Sequence, residues 1–346
     1  MTRNATTVTA RIVNGFVTLQ DNGDPELLKA GRDGLSDEDL ARLGTGAAGR
    51  PQAIGGNPAG VVLDADGLSD AQMLEIAQMV GLSETAFVSR SETEGFKLDF
   101  FTPTRRIAHC GHATIATFSY LAELGRVGEG GTSKETVDGP RKIIIRDGAA
   151  YMEQLAPRYE DPSDWADRGV QEQDVLAALG LAPEYLDPRF APMLANTGNS
   201  FVLVAVKDAA ALRAVKPELS RIDAISEALD LIGFYVFTTD PEATSADATA
   251  RMFAPRYGIS EESATGMAAG PLACALYDHL GVRRPKLLIE QGHFMEPASP
   301  SEITVELNLD AGRITGLMAG GYGAVMKELQ IRLDHSPAPA AGKSND

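Results

Sequence analysis

Two of the chain's five histidines and one of its two cysteines fall in one segment, 109-HCGHATIATFSYL-121. Imidazole and thiol are the groups that move protons or bind metal most readily near neutral pH. His112 can donate a proton or hydrogen-bond a substrate, and Cys110 can line a pocket beside it. His109, Cys110 and His112 are too crowded along the chain to ligate one ion, and His279, His293 and His335 are scattered, so no metal is expected. Cys274 lies within LACAL and reads as core.

Apolar residues Ile115, Phe118, Leu121 and Leu124 recur at helical spacing, and Gly125 is a stop. Cys110 therefore precedes a helix and His112 lies in its first turn. A second helix opens at Gly266-Met267-Ala268-Ala269, much as the first opens at Gly111-His112-Ala113-Thr114. Helix N-termini carry free N–H groups and partial positive charge, and glycine lets a ligand approach the backbone. Two such mouths facing one cleft suit a small carboxylic acid. The bland alternative is glycines that merely end loops.

Local signals supply the rest of the frame. Ser69 with Gln72 forms a capping box, Met73, Ile76, Ala77 and Val80 form an apolar stripe, and Gly81 ends that helix. Short apolar runs such as VVLDA, TAFVS, KLDFF, IIIR, FVLVAV, FYVFT and ITVEL read as strands. The order GNPAGVVL, helix, LSETAFVS, LDFFTP, HCGHATIATFSYL returns as GNSFVLVAV, helix, LIGFYVFT, RMFAP, SATGMAAGPLACAL. We read a diverged internal repeat. Residues 1–138 form the N-terminal copy, with an acidic surface excursion at 21–53 and completion by 322–334. Residues 139–321 form the C-terminal copy, and 335–346 a disordered tail.

Composition narrows the function. The 346 residues carry a net charge of −17, with no basic run longer than a pair such as Arg283-Arg284, which argues against nucleic acid and anionic membrane as partners. No apolar run approaches a membrane span and no signal peptide is read. Two cysteines make no disulfide framework, which fits a reducing cytoplasm.

GGNPAGVV (55–62), LSETAFV (82–88), FFTP (100–103), CGHATIA (110–116), RMFAP (251–255), ATGMA (264–268), EQG..M (290–295) and Gly320-Gly321 occur in an order and spacing that resemble the PhzF-type phenazine-biosynthesis isomerase family. The resemblance spans most of residues 8–333. It implies an α+β, diaminopimelate-epimerase-like fold: two pseudo-symmetric domains, each a curled mixed or antiparallel sheet around a central helix. It further implies a homodimer and proton movement between carbons of a small unsaturated hydroxy- or amino-carboxylic acid, without metal or organic cofactor. Glu84 would be the acid/base, with His112 and Glu262 as catalytic partners. Asn57, Cys110, Gly111, Ala113, Thr265, Gly266, Met267 and Arg106 would contact substrate. On pattern alone, Glu84 reads as a loop glutamate, although Leu82 and Phe87 flank it and burial lifts a carboxylate toward base strength.

The second motif departs from the family. In 261-EESATGMA-268, Glu262 stands for the usual Asp, Ser263 for Pro and Met267 for Ser. Arg106 stands where relatives often carry an acid; it is expected to pair with Glu262 or a substrate anion, or else to face solvent. Two other functions stay open: a racemase or epimerase, for which Cys110 supplies one thiol but Ser263-Ala264 no second, and a small-acid binding protein without turnover.

Overall fold

The computed structural model describes residues 6–20 and 52–333. The expected excursion at 21–53, save its last two residues, and the tail at 335–346 lie outside them. The first half runs β1 (Thr6–Gln20), β2 (Gln52–Ile54), β3 (Asn57–Val62), α1 (Asp70–Val80), β4 (Thr85–Ser89), β5 (Phe96–Phe101), β6 (Arg106–Ile107), α2 (Gly111–Glu123), β7 (Gly130–Glu135), β8 (Arg141–Arg146) and β9 (Ala149–Leu155). There follow β10 (Arg158–Glu160), the short α3 (Pro162–Trp165), α4 (Glu172–Leu179), β11 (Met193–Asn196), β12 (Ser200–Ala205), α5 (Ala209–Ala214) and α6 (Leu219–Leu229). The chain then forms β13 (Gly233–Thr238), β14 (Ala248–Ala254), β15 (Ile259–Glu262), α7 (Gly266–Asp278), β16 (Lys286–Gln291), β17 (Ser301–Asp310) and β18 (Arg313–Leu333). The architecture is α+β. Among the described residues no helix is long and apolar enough to cross a membrane.

Strand pairing follows one scheme twice. β3 pairs parallel with β4, β4 antiparallel with β5, and β5 parallel with β7, which continues antiparallel into β8 and β9. In the second half β12 pairs parallel with β13, β13 antiparallel with β14, and β14 parallel with β16, which continues antiparallel into β17 and β18. Each first parallel pair needs a crossover. α1 makes one; α5 and α6 together make the other, which accounts for the longer spacing there. The expected boundary at residue 138 divides β7 from β8, yet these strands pair, so the first sheet runs on to Leu155. Residues Tyr322–Leu333 of β18 lie antiparallel to β1. The start of β18 pairs with β9 and β17, so one strand joins both sheets.

Local chemistry sets the helix ends. Ser69 accepts from the Gln72 N–H, Gln72 reaches back in a capping box, and Gly81 closes α1 with φ 70°. α2 is buried on every side from Gly111 to Leu121, and in α7 only Met267 and Asp278 escape burial. Sheets curl around both helices, so small residues and threonines suffice where an amphipathic helix would carry charges. The expected stripe on α2 is thus one part of an all-round contact surface, and Leu124, assigned to it, is 46% exposed.

Candidate active site

Three loop-to-element junctions deliver the central side chains. Glu84 directly precedes β4, and its carbonyl accepts from the Gly60 N–H of β3 at 2.9 Å. The parallel β3–β4 register therefore holds its backbone. Cys110 is the N-cap residue of α2 and His112 lies in the first turn. Glu262 ends β15, just before α7.

These elements bring Glu84, His112 and Glu262 together. His112 Nε2 lies 3.3 Å from Glu84 Oε2, and Nδ1 lies 3.3 Å from Glu262 Oε1. The Cys110 sulfur is 3.6 Å from Nδ1. Glu84 is 7% exposed and His112 4%, so the cluster is shielded from water. Burial works against charge on the imidazole. The Cys110 sulfur, the Glu262 acceptor and the Glu84 carboxylate together outweigh it and hold His112 well above the ordinary histidine value. Burial pushes the Cys110 thiol up, against the pull of the neighbouring His112. Glu84 Oε2 and His112 Nε2 approach without hydrogen-bond geometry, and each is buried with no hydrogen-bond partner. Buried polar atoms are normally paired, and such exceptions gather where a ligand completes the site.

Glu262 is held from several sides. Asn57 Nδ2 donates to Glu262 Oε1 at 2.9 Å and to the Ala264 carbonyl at 3.0 Å. The Thr265 hydroxyl donates to Glu262 Oε2. Gln291, wholly buried, accepts from the Thr265 N–H at 3.0 Å and from the Tyr235 hydroxyl at 2.9 Å. Its amide donates to the Glu262 carbonyl at 2.7 Å. Gln291 had no role assigned from sequence. The signal was the alternation of KLLIEQ, which turns Leu287, Ile289 and Gln291 to the buried face.

The remaining candidates divide. Gly111 faces Met267: a Cβ on Gly111 would lie 3.1 Å from Met267 Cγ, so the helix mouths meet there. Gly266 accommodates the Phe16 ring, which a Cβ would meet at 2.6 Å. Met267 sulfur accepts from Asn199 Nδ2 at 3.3 Å; Asn199 was not foreseen. Ala113 is fully buried, and its N–H bonds the Cys110 sulfur. The Ser263 hydroxyl donates to the Gly56 carbonyl at 3.0 Å. Arg106 stays apart: it pairs with Asp99, and with Asp70 at 3.3 Å, instead of with Glu262. β6 aims it along its own sheet, where Asp99 of β5 is the nearer acid. His109 turns away from Cys110 and accepts from the buried Lys134 amine at 3.0 Å. Lys134 also donates to Thr114 Oγ1 at 2.6 Å, and burial pushes its pKa well below the ordinary lysine value.

Residues 50–327 match the family described as phenazine biosynthesis-like protein, PhzC-PhzF. The chain is 34% identical over 232 residues to the uncharacterized isomerase YddE of Escherichia coli (strain K12), covering 66% of this chain and 76% of that one. It is 30% identical over 288 residues to the trans-2,3-dihydro-3-hydroxyanthranilate isomerase of Pseudomonas aeruginosa, covering 80% of this chain and 94% of that enzyme. In fold it resembles the crystal structure of a Bacillus anthracis phenazine biosynthesis protein of the PhzF family, with TM-score 0.76 and 24% identity over 94% of this chain and 99% of that one. The motifs, the doubled sheet-and-helix scheme and the family match over 50–327 agree, and the chain belongs to the PhzC-PhzF family of phenazine biosynthesis-like proteins.

Proposed function

We propose that this PhzF-family isomerase moves a proton between two carbons of a small unsaturated hydroxy- or amino-carboxylic acid, with Glu84 as the acid/base. One observation supports this above the rest: the buried His112 is bracketed by Glu84 and Glu262, and Glu84 Oε2 has no hydrogen-bond partner. An unpaired carboxylate oxygen in a dry site is a competent base for a carbon acid. Glu84 takes the proton, the electron pair passes into the substrate's conjugated system, and the acid so formed, once its proton has exchanged with solvent, delivers a proton to a second carbon. No redox change accompanies this. The His112 imidazolium, kept charged by its neighbours, stabilises negative charge as it develops. The mouths of α2 and α7, with Thr265 and Asn57 near them, are suited to the substrate carboxylate. Met267, set between the mouths, makes the pocket more apolar than a serine would.

Racemisation by two bases needs donors on opposite faces of one carbon. Glu84, Cys110 and His112 instead offer atoms that all lie within 4.8 Å of one another, too close for a carbon to sit between Glu84 and Cys110. Proton removal and return on one face is the chemistry this spacing favours.

The test is deuterium entry from D₂O into trans-2,3-dihydro-3-hydroxyanthranilate, the substrate named for the Pseudomonas relative, and into a panel of amino and unsaturated hydroxy acids. Label at a carbon of one compound is expected, with about 10³-fold slower labelling in Glu84→Gln. A Glu84→Gln enzyme that labels at the wild-type rate removes Glu84 as the base. Label confined to the α-carbon of a saturated amino acid shifts the reading to epimerisation.

A further inference from the structure

We propose that Glu84, Cys110 and His112 form a binding site for a zinc-class cation, and that the ion switches the enzyme off. Glu84 precedes β4 while Cys110 and His112 open α2, yet one donor atom from each lies within 4.8 Å of the others, and all three are buried. Donors about 2.0–2.3 Å from a tetrahedral ion stand roughly 3.3–3.8 Å apart. The Glu84 Oε2 to His112 Nε2 edge is already 3.3 Å, so only the sulfur has to swing inward.

Three further features fit this ligand. Glu84 Oε2 and His112 Nε2 are both among the buried side-chain atoms without hydrogen bonds, and they lie 3.3 Å from each other. His112 Nδ1 lies 3.3 Å from Glu262 Oε1. With Nε2 on a metal, Nδ1–H would donate to that carboxylate, the arrangement by which proteins orient zinc-bound imidazoles. Glu262 is in turn fixed by Asn57 and Thr265, so this outer support is already in place. The set of one thiol, one imidazole and one carboxylate suits zinc over magnesium or calcium, which prefer oxygen alone. Three protein donors leave a fourth position for water or a substrate oxygen. Binding displaces the thiol and imidazole protons to solvent, with no change of oxidation state.

His109, adjacent in sequence, takes no part because its ring accepts from Lys134. The set that could hold an ion is therefore one that only the fold assembles, with Glu84 replacing His109. The consequence for catalysis rests on the proposed function: a cation here occupies the Glu84 Oε2 lone pair that takes the proton and displaces the Nε2 proton of the His112 imidazolium. Zinc would act as an inhibitor here.

The experiment titrates the metal-free full-length chain with Co²⁺ as a spectroscopic probe, then with Zn²⁺, and separately follows deuterium exchange. One cobalt per chain is expected, with a sulfur-to-cobalt charge-transfer band and the intense visible bands of a tetrahedral site. Zinc should displace it. Cys110→Ser should lose the charge-transfer band, and Glu84→Gln should weaken binding at least about tenfold. Cys274→Ser, altered only in the core of α7, should bind as wild type. Absence of the band in wild type, or its survival in Cys110→Ser, overturns the site. Should Cys110→Ser fail to fold, an unweakened Glu84→Gln alone overturns it. The two proposals fail separately. Cobalt binding with exchange that is indifferent to Glu84→Gln removes the proposed base and keeps the metal site. Glu84-dependent exchange in a chain without the band does the reverse.

Discussion

The mouths of α2 and α7 occupy equivalent places in the two halves but carry different chemistry. At the first, Cys110 and His112 sit beside Glu84, and atoms there are left without hydrogen-bond partners. At the second, Thr265, Asn57 and Gln291 enclose Glu262 in hydrogen bonds, and Met267 caps the opening. In the proposed function the first mouth moves the proton, and its counterpart is a clamp. Duplication of a fold thus leaves each half free to specialise, and the site needs both, since His112 of one half is bracketed by Glu262 of the other.

Variants can break this division. Glu262→Gln should lower turnover about 10²-fold. It also removes an acceptor that raises His112, so the alkaline limb of the pH–rate profile should move to lower pH. The sign is fixed: His112 is most active while protonated, and a weaker partner lets the proton leave sooner. An unmoved limb would make Glu262 a scaffold alone. Gln291→Leu tests the clamp. Stranding the Thr265 N–H and the Glu262 carbonyl should cost about 2 kcal/mol in denaturant unfolding. A disproportionate loss in turnover, restored in part by Gln291→Glu, would show that it positions Glu262.

Lys134→Met probes the ground under the first mouth. Lys134 is buried with its pKa held well below 10.5, so the folded chain gives up this proton at a lower pH than the unfolded chain does. The unfolded state binds the extra proton, so this group makes stability rise with pH between the lowered folded value and 10.5. The substitution should flatten Tm against pH across that window; an unchanged slope would mean the amine is charged in place. Arg106→Gln should have the smallest effect, about 1 kcal/mol in stability, because Arg106 and Asp70 lie partly in solvent and Lys97 remains 3.6 Å from the buried Asp99. A raised KM in that variant would return Arg106 to the pocket.

Much of this was legible in advance for definite reasons. Ser69, Gln72 and Gly81 announce α1 because caps are local chemistry. The repeat is visible because equivalent strands kept their turns, Gly56-Asn57 and Gly198-Asn199. His112 and Glu84 stood out through motif context. Of the alternatives open for Arg106, the pairing with Glu262 is not formed: Asp99, seven residues earlier on the paired strand, takes the guanidinium, and the side chain is exposed. Gln291 was overlooked because one buried amide in a strand looks ordinary until its bonds to Tyr235, Glu262 and Thr265 are seen. The cluster of Glu84, Cys110 and His112 depends on a strand register and a helix start, which no spacing in the chain expresses.

The long β18 has a consequence for how the chain reaches this state. β1, made early in synthesis, lies against Tyr322–Leu333, made some three hundred residues later. Until that segment emerges, one edge of the first sheet waits without its neighbour, an invitation to pairing with other chains. Folding of so non-local a topology is slow. How well that early edge is shielded during synthesis therefore bears on how much of the chain reaches the folded state.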